Sequence, residues 1–189
     1  MWKETGIFFW ELAKVFLISM AIIIPIRYFL VQPFFVRGAS MEPNFLDGEY
    51  LVIDQLSYRL REPERGEVTV FRFPLKPSQF FIKRIVGLPG ETVTVQDGRV
   101  IIKNQTHPNG VLLDESLYID PAVRTGGNVT LTLRENEYFV LGDNRAASSD
   151  SRSWGVLPRD DLIGRAWIRA FPFTDVAVFS YKEPGFVSL

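Results

Sequence analysis

The chain has 189 residues, 47% apolar and 23% charged, the balance of a folded protein of one domain or one domain plus an appendage, which excludes disorder as the main state. Its net charge of −1 and pI near 5.9 provide no basic face, so nucleic acid is not an expected partner. With no cysteine and a single histidine, neither a Cys/His zinc site nor a disulfide framework can be assembled, and no metal or other cofactor is expected.

The first predicted element is an apolar helix. Val15 to Ile26, extended by Leu12, Ala13 and Tyr28-Phe29-Leu30-Val31, nearly reaches the ~20 residues that span a bilayer. Glu11, Lys14 and Arg27 interrupt its edges. Removable signal peptides and buried core helices have apolar runs of this length too, but a cleavable signal needs a small-x-small site soon after its core. Here the chain continues through Arg27, Tyr28, Phe29 and Gln32-Pro33-Phe34-Phe35. Residues 1–32 therefore read as a retained single-span transmembrane anchor in a lipid bilayer, with Lys14 and Arg27 reaching towards the head groups. The bias that sets orientation, Lys3 and Lys14 against Arg27 and Arg37, is nearly balanced.

After Pro33 the chain becomes a series of short β-prone runs punctuated by Gly, Pro and Asp, among them Tyr50-Leu51-Val52-Ile53, Glu67 to Phe71 and Tyr138 to Leu141. Residues 33–189 are read as a mainly antiparallel β domain. In Thr92 to Gln96, Asp97-Gly98 and Arg99 to Lys103, the Asp-Gly pair supplies the positive φ angles of a type I′ hairpin turn. The more polar residues 104–130 are read as a variable insertion or small cap, and a brief helix is expected at Arg159 to Ile163.

A Ser-His-Asp hydrolase would have to use His107, which sits in the polar stretch Gln105 to Asn109 and reads as a solvated loop residue. A serine nucleophile in this chain would therefore take a lysine as its base, a variant in which a desolvated neutral amine replaces imidazole. In Gly38-Ala39-Ser40-Met41-Glu42-Pro43 the small residues allow a substrate backbone to approach the hydroxyl, and an exposed amide there can bind an oxyanion. Taken alone, the segment reads as an ordinary turn. In Phe80 to Val86, strand alternation puts Phe81, Lys83 and Ile85 on one face, where burial would lower the lysine pKa. An edge-strand lysine that discourages aggregation explains the same segment equally well. The third segment, Gly142 to Gly155, packs two acids, two arginines and several hydroxyls into one loop. Charge-assisted hydrogen bonds can order such a loop and let it orient a catalytic amine.

In this order and behind an apolar anchor, the three segments resemble the bacterial signal peptidase I family of Ser/Lys serine proteases. The resemblance rests on Ser40-Met41-Glu42-Pro43, on Lys83-Arg84-Ile85-Val86-Gly87-Leu88-Pro89-Gly90 and on the Gly-Asp-Asn-x-x-x-Ser-x-Asp-Ser-Arg pattern from Gly142 to Arg152. It implies a β-rich catalytic domain with a small β insertion, held on the extracytoplasmic side of the cytoplasmic membrane. That enzyme would cut signal peptides from exported preproteins after small-x-small sites, through an acyl-enzyme. The family's roles carry over to Ser40 as nucleophile and backbone oxyanion donor, Lys83 as general base and Ser148 as the hydroxyl orienting its amine. Arg84, Asp143, Asp150 and Arg152 would hold the site. Where some members carry a serine whose hydroxyl helps bind the oxyanion, this chain has Gly38. A serine there could add a donor worth roughly 3 kcal/mol, unless the glycine holds a positive φ that a side chain would strain. Two other functions fit parts of the pattern: a membrane-tethered β domain used only for binding, and a Ser/Lys autoprotease of the repressor-cleaving type, which would need a DNA-binding or soluble partner region instead of the anchor.

Overall fold

The structure, a computed structural model, describes residues 2–25 and 31–188. Helix α1 runs Trp2–Pro25. Its stretch Thr5–Ile24, 20 residues long, is about 30 Å at 1.5 Å per residue, the thickness of a bilayer core. None of that stretch is buried in the rest of the protein. The helix starts well before Val15 because Ile7-Phe8-Phe9-Trp10 continue the apolar surface towards the N-terminus. Glu11 and Lys14 therefore lie within the apolar stretch, joined by a 2.6 Å ion pair one turn apart. Such pairing lowers the cost of two charges in lipid. The end of the apolar run, with Arg27, lies outside the described residues.

The β body consists of β1 (Val31–Phe35), β2 (Tyr50–Asp54), β3 (Val68–Phe73), β4 (Lys76–Gly87), β5 (Thr92–Gln96), β6 (Arg99–Lys103), β7 (Val111–Leu113), β8 (Val129–Thr132), β9 (Glu137–Leu141), β10 (Leu157–Pro158), β11 (Leu162–Phe171), β12 (Ala177–Val178) and β13 (Phe186–Val187), with one-turn helices α2 (Ser57–Leu60) and α3 (Ser151–Trp154). One sheet has the order β1-β2-β11-β3-β4-β9-β10, with β12 also on β11; the other is β13-β7-β6-β5-β8. Every pairing is antiparallel, so the fold is the mainly antiparallel β architecture the sequence predicts. Pro33 fits β1 because β1 is an edge strand.

The β5–β6 hairpin forms in the predicted register, with Gln96 opposite Arg99 and positive φ at Asp97 and Gly98. Alternation buries Val93, Val95, Val100 and Ile102, while Thr92 and Thr94 hydrogen-bond Thr132 and Thr130 on the outer face. From residues 104–130 come β7 and the start of β8, which pair with β6 and β5. The second sheet thus extends beyond those bounds in both directions and also takes β13. A shared core closes the seam between the sheets, with Val86, Phe139 and Leu141 meeting Val93, Val95 and Ile102. At Arg159 to Ile163 the chain makes only a 3₁₀ turn, Arg159–Asp161. Leu162 is already extended and pairs with Phe71 of β3, because its side chain is taken up by the core beneath that strand.

Ile102 is fully buried at the seam. Ile102→Ala is expected to lower unfolding stability by about 2–5 kcal/mol in urea titration, whereas Thr94→Val on the outer face should change it by less than about 1 kcal/mol.

Candidate active site

Ser40 sits in the turn that links β1 to β2. Val36 and Glu49 close its base, Val36 N–H donating to the Glu49 carbonyl at 2.8 Å and Gly48 N–H to the Val36 carbonyl at 3.1 Å. Met41 and Phe45, on either side of Pro43, are buried with Leu51, Ile53, Val68 and Val70. The backbone flanking the hydroxyl is therefore pinned by core packing rather than left as a mobile loop. Gly38 has φ +85°, and its N–H donates to Asp47 Oδ1 at 2.6 Å. The Ser40 N–H donates to no group among the described residues, so it is open to an incoming oxyanion.

Lys83 lies on β4 opposite Thr69 of β3 and is 3% exposed. Its Nζ donates to Ser40 Oγ at 2.7 Å and to the Ile82 carbonyl at 2.7 Å. The Phe81 ring centroid is 5.4 Å away, and Ile85, next on the same face, is fully buried. Burial lowers the lysine pKa from 10.5 to about 8, against the opposing pull of the Asp150 and Asp143 charges.

The other expected residues converge on this pair. Arg84 Nε donates to Asp143 Oδ1 at 2.8 Å, its Nη2 reaches Oδ2, and its Nη1 donates to the Gly66 carbonyl at 2.7 Å. Asp150 accepts two hydrogen bonds of 2.8 Å from the Arg152 guanidinium and one of 3.1 Å from Gly142 N–H. Burial works to raise the Asp150 pKa, but these donors hold it below the ordinary carboxylate value. Asp150 also caps α3, whose Trp154 packs against Phe71 and Phe73. Ser148 Oγ is buried beside Asp150 and makes no hydrogen bond of normal geometry. It lies over Gly142, where an added Cβ would collide with both Ser148 and the Ser40 carbonyl. The lysine amine keeps one N–H beyond the two it uses.

Three residues outside the sequence-based set also build the site. Asn144 N–H donates to the Ser40 carbonyl at 3.1 Å and its Nδ2 to the Ala39 carbonyl at 3.0 Å, clamping the turn. Asn44 Nδ2 donates to Asp143 Oδ2 at 2.8 Å. Arg145 Nε donates to the Gly142 carbonyl at 3.0 Å. Asn144 and Arg145 stood inside a motif already singled out; Asn44 is 99 positions from Asp143 and carried no local signal. His107 lies half-buried in the loop between β6 and β7, where its ring packs on Phe186 of β13.

Ser40 and Lys83 open into a cleft of about 580 Å³ walled by Val36, Leu51, Val70 and Ile82. β9 pairs with β4 only from Arg84 onward, so on that side Phe80 to Lys83 present an unpaired edge to the cleft. An extended peptide can add to such an edge.

A family model described as "Signal peptidase, peptidase S26" matches residues 9–171. A probable signal peptidase I-2 of Synechocystis sp. (strain ATCC 27184 / PCC 6803 / Kazusa) is 40% identical over 175 residues, covering 90% of this chain and 77% of that protein. A signal peptidase I of Leptolyngbya laminosa is 37% identical over 162 residues, 82% of this chain and 76% of its own. The crystal structure of a signal peptidase I from Enterococcus faecalis V583 aligns with a TM-score of 0.45 at 32% identity, covering 56% of this chain and 97% of that one.

The space around Gly38 is empty, so a side chain there meets no neighbour and acts only through the backbone. Gly38→Ser should cost about 1–2 kcal/mol in thermal unfolding and lower kcat rather than raise it, because the strained φ moves Ser40 off its partner. An increase in kcat would mean that the new hydroxyl reaches the oxyanion in spite of the strain.

Proposed function

From the premise that the chain belongs to the signal peptidase, peptidase S26 family and is a serine peptidase, we propose that it cleaves signal peptides from preproteins with Ser40 as nucleophile and Lys83 as general base. The observation that carries this reading is the 2.7 Å hydrogen bond from a buried Lys83 Nζ to Ser40 Oγ. With a pKa of about 8, about one amine in eleven is neutral at pH 7, against about one in 2,500 for a free lysine. The difference is worth about 3 kcal/mol of the barrier.

Neutral Lys83 takes the Ser40 proton while Oγ attacks the scissile carbonyl, whose developing charge meets the Ser40 N–H. The protonated lysine gives that proton to the departing amine of the mature protein, which leaves an acyl-enzyme. The same amine then activates the water that hydrolyses the ester. Ser148, buried without a good partner, is suited to take the spare N–H of the charged lysine and hold the amine in line. Arg84, Asp143, Asp150 and Arg152 fix the strand and loop around it. Substrate would lie extended in the cleft against Val36, Leu51, Val70 and Ile82, and the family resemblance implies small side chains before the cut. Helix α1 would cross the membrane once and hold residues 33–189, with the 104–130 segment, on the extracytoplasmic side.

Ser40→Ala, with little change in unfolding midpoint, and Lys83→Arg should each reduce cleavage of a preprotein by about 10⁴-fold or more, since a guanidinium cannot act as a base near neutrality. N-terminal sequencing of the wild-type product should place the cut after a small-x-small sequence. Substantial cleavage by either variant contradicts the dyad. The full-length protein should stay with membranes through alkaline carbonate; release would contradict the spanning helix.

A further inference from the structure

The segment between β7 and β8 makes contacts that neither the proposed chemistry nor the sequence motifs use. Tyr118 lays its ring over the Arg84 guanidinium, with Cζ 4.1 Å from the ring centroid. Its main-chain carbonyl accepts from Asn44 Nδ2 at 2.7 Å, the same amide that donates to Asp143. Its hydroxyl donates to Glu115 Oε1 at 2.9 Å. Glu115 in turn receives both ends of the Arg145 guanidinium, and Arg145 holds the Gly142 carbonyl. This one turn, closed by Tyr118 N–H to the Glu115 carbonyl, therefore touches all three catalytic segments: the Ser40 turn through Asn44, the Lys83 strand through Arg84, and the Gly142 loop through Arg145.

We propose that Glu115 and Tyr118 are positioning residues for the Ser40–Lys83 pair, so that the connection between β7 and β8 sets the geometry and dryness of the dyad rather than merely decorating the body. The proposal rests on the function argued above. Arg84 is bonded edge-on by Asp143 and Gly66, which leaves its planar face to be covered. The Tyr118 ring covers it with a cation–π contact and keeps water from the Arg84–Asp143 pair. Arg145 is 4% exposed, and the Glu115 carboxylate supplies its counter-charge at 2.8 Å. Without Glu115 that buried cation would pull on Gly142, whose surface is in contact with Ser40 and Ser148. Small displacements of reacting groups are costly in rate, so a brace of this kind acts on kcat more than on substrate binding.

The test uses the full-length protein in detergent micelles, comparing Tyr118→Ala, Tyr118→Phe and Glu115→Gln with the parent. Tyr118→Ala should lower kcat about tenfold with KM within about twofold, and NMR titration of the ¹⁵N-labelled Lys83 amine should give a midpoint above the parent's, as water reaches the pair. Tyr118→Phe keeps the ring over Arg84 and should recover kcat to within about threefold of the parent. Glu115→Gln, which keeps shape and loses charge, should lower kcat severalfold and decides the matter if Tyr118→Ala does not fold. A folded Tyr118→Ala with parent kcat and amine titration, a Phe variant as impaired as Ala, or parent-like Glu115→Gln would each overturn the proposal. If the parent protein cleaves no preprotein, the function argued above fails, and the Lys83 titration alone still decides whether Tyr118 governs the amine.

Discussion

An amine can serve as a base near neutrality only if the protein makes its charged form uncomfortable, and the base role proposed for Lys83 depends on that constraint. Lys83 is almost fully buried and bonded to a hydroxyl and a carbonyl, both neutral. Two carboxylates lie close enough to oppose the effect, since the charges of Asp150 and Asp143 favour the ammonium. Each is matched by its own guanidinium, Arg84 on Asp143 and Arg152 on Asp150, in two-pronged contact. The arginines thus do more than order the loop: by neutralising the acids they allow burial to dominate the lysine's protonation. Removing either arginine while leaving its acid would strand a buried charge near Lys83.

The hydrophobic cores hold the two halves of the proposed dyad in place. One core, with Met41, Phe45, Leu51 and Val70, fixes the turn that carries Ser40. A second, with Phe71, Ile85, Tyr138 and Leu157, sits against the strand that carries Lys83. Loop 142–155 closes the arrangement by binding the Ser40 and Ala39 carbonyls through Asn144. A mobile hydroxyl would gain little from a neutral amine nearby; packed backbone on both sides makes the 2.7 Å contact a standing feature.

Much of this was legible in the residues. Strand alternation placed Lys83 between Phe81 and Ile85 on one face, and the Asp97-Gly98 pair fixed the hairpin register, because both follow from local stereochemistry. The resemblance to a known family then singled out Ser40, which its own segment could not distinguish from an ordinary turn. Contacts made across long sequence separations were not legible. Asn44 reaching Asp143, Glu115 receiving Arg145 and Tyr118 covering Arg84 depend on sheet order, which no periodicity encodes. In the polar stretch 104–130, read as a variable insertion or small cap, the short strand β7 was not legible, because Val111 and Leu113 find their apolar partners only in a core built with distant strands. Likewise Leu162 begins a strand rather than continuing a helix, because a tertiary partner, Phe71, overrides local preference.

The proposed mechanism, in which a dry Lys83 must lose its proton before Ser40 attacks, has a direct kinetic signature. In the dependence of kcat/KM on pH, measured with a preprotein and the full-length protein in micelles, activity should climb tenfold per unit at acid pH and level off through an apparent pKa of about 8. A limb that keeps rising towards the free lysine value of about 10.4, or a profile flat across pH 6 to 9, would contradict the account.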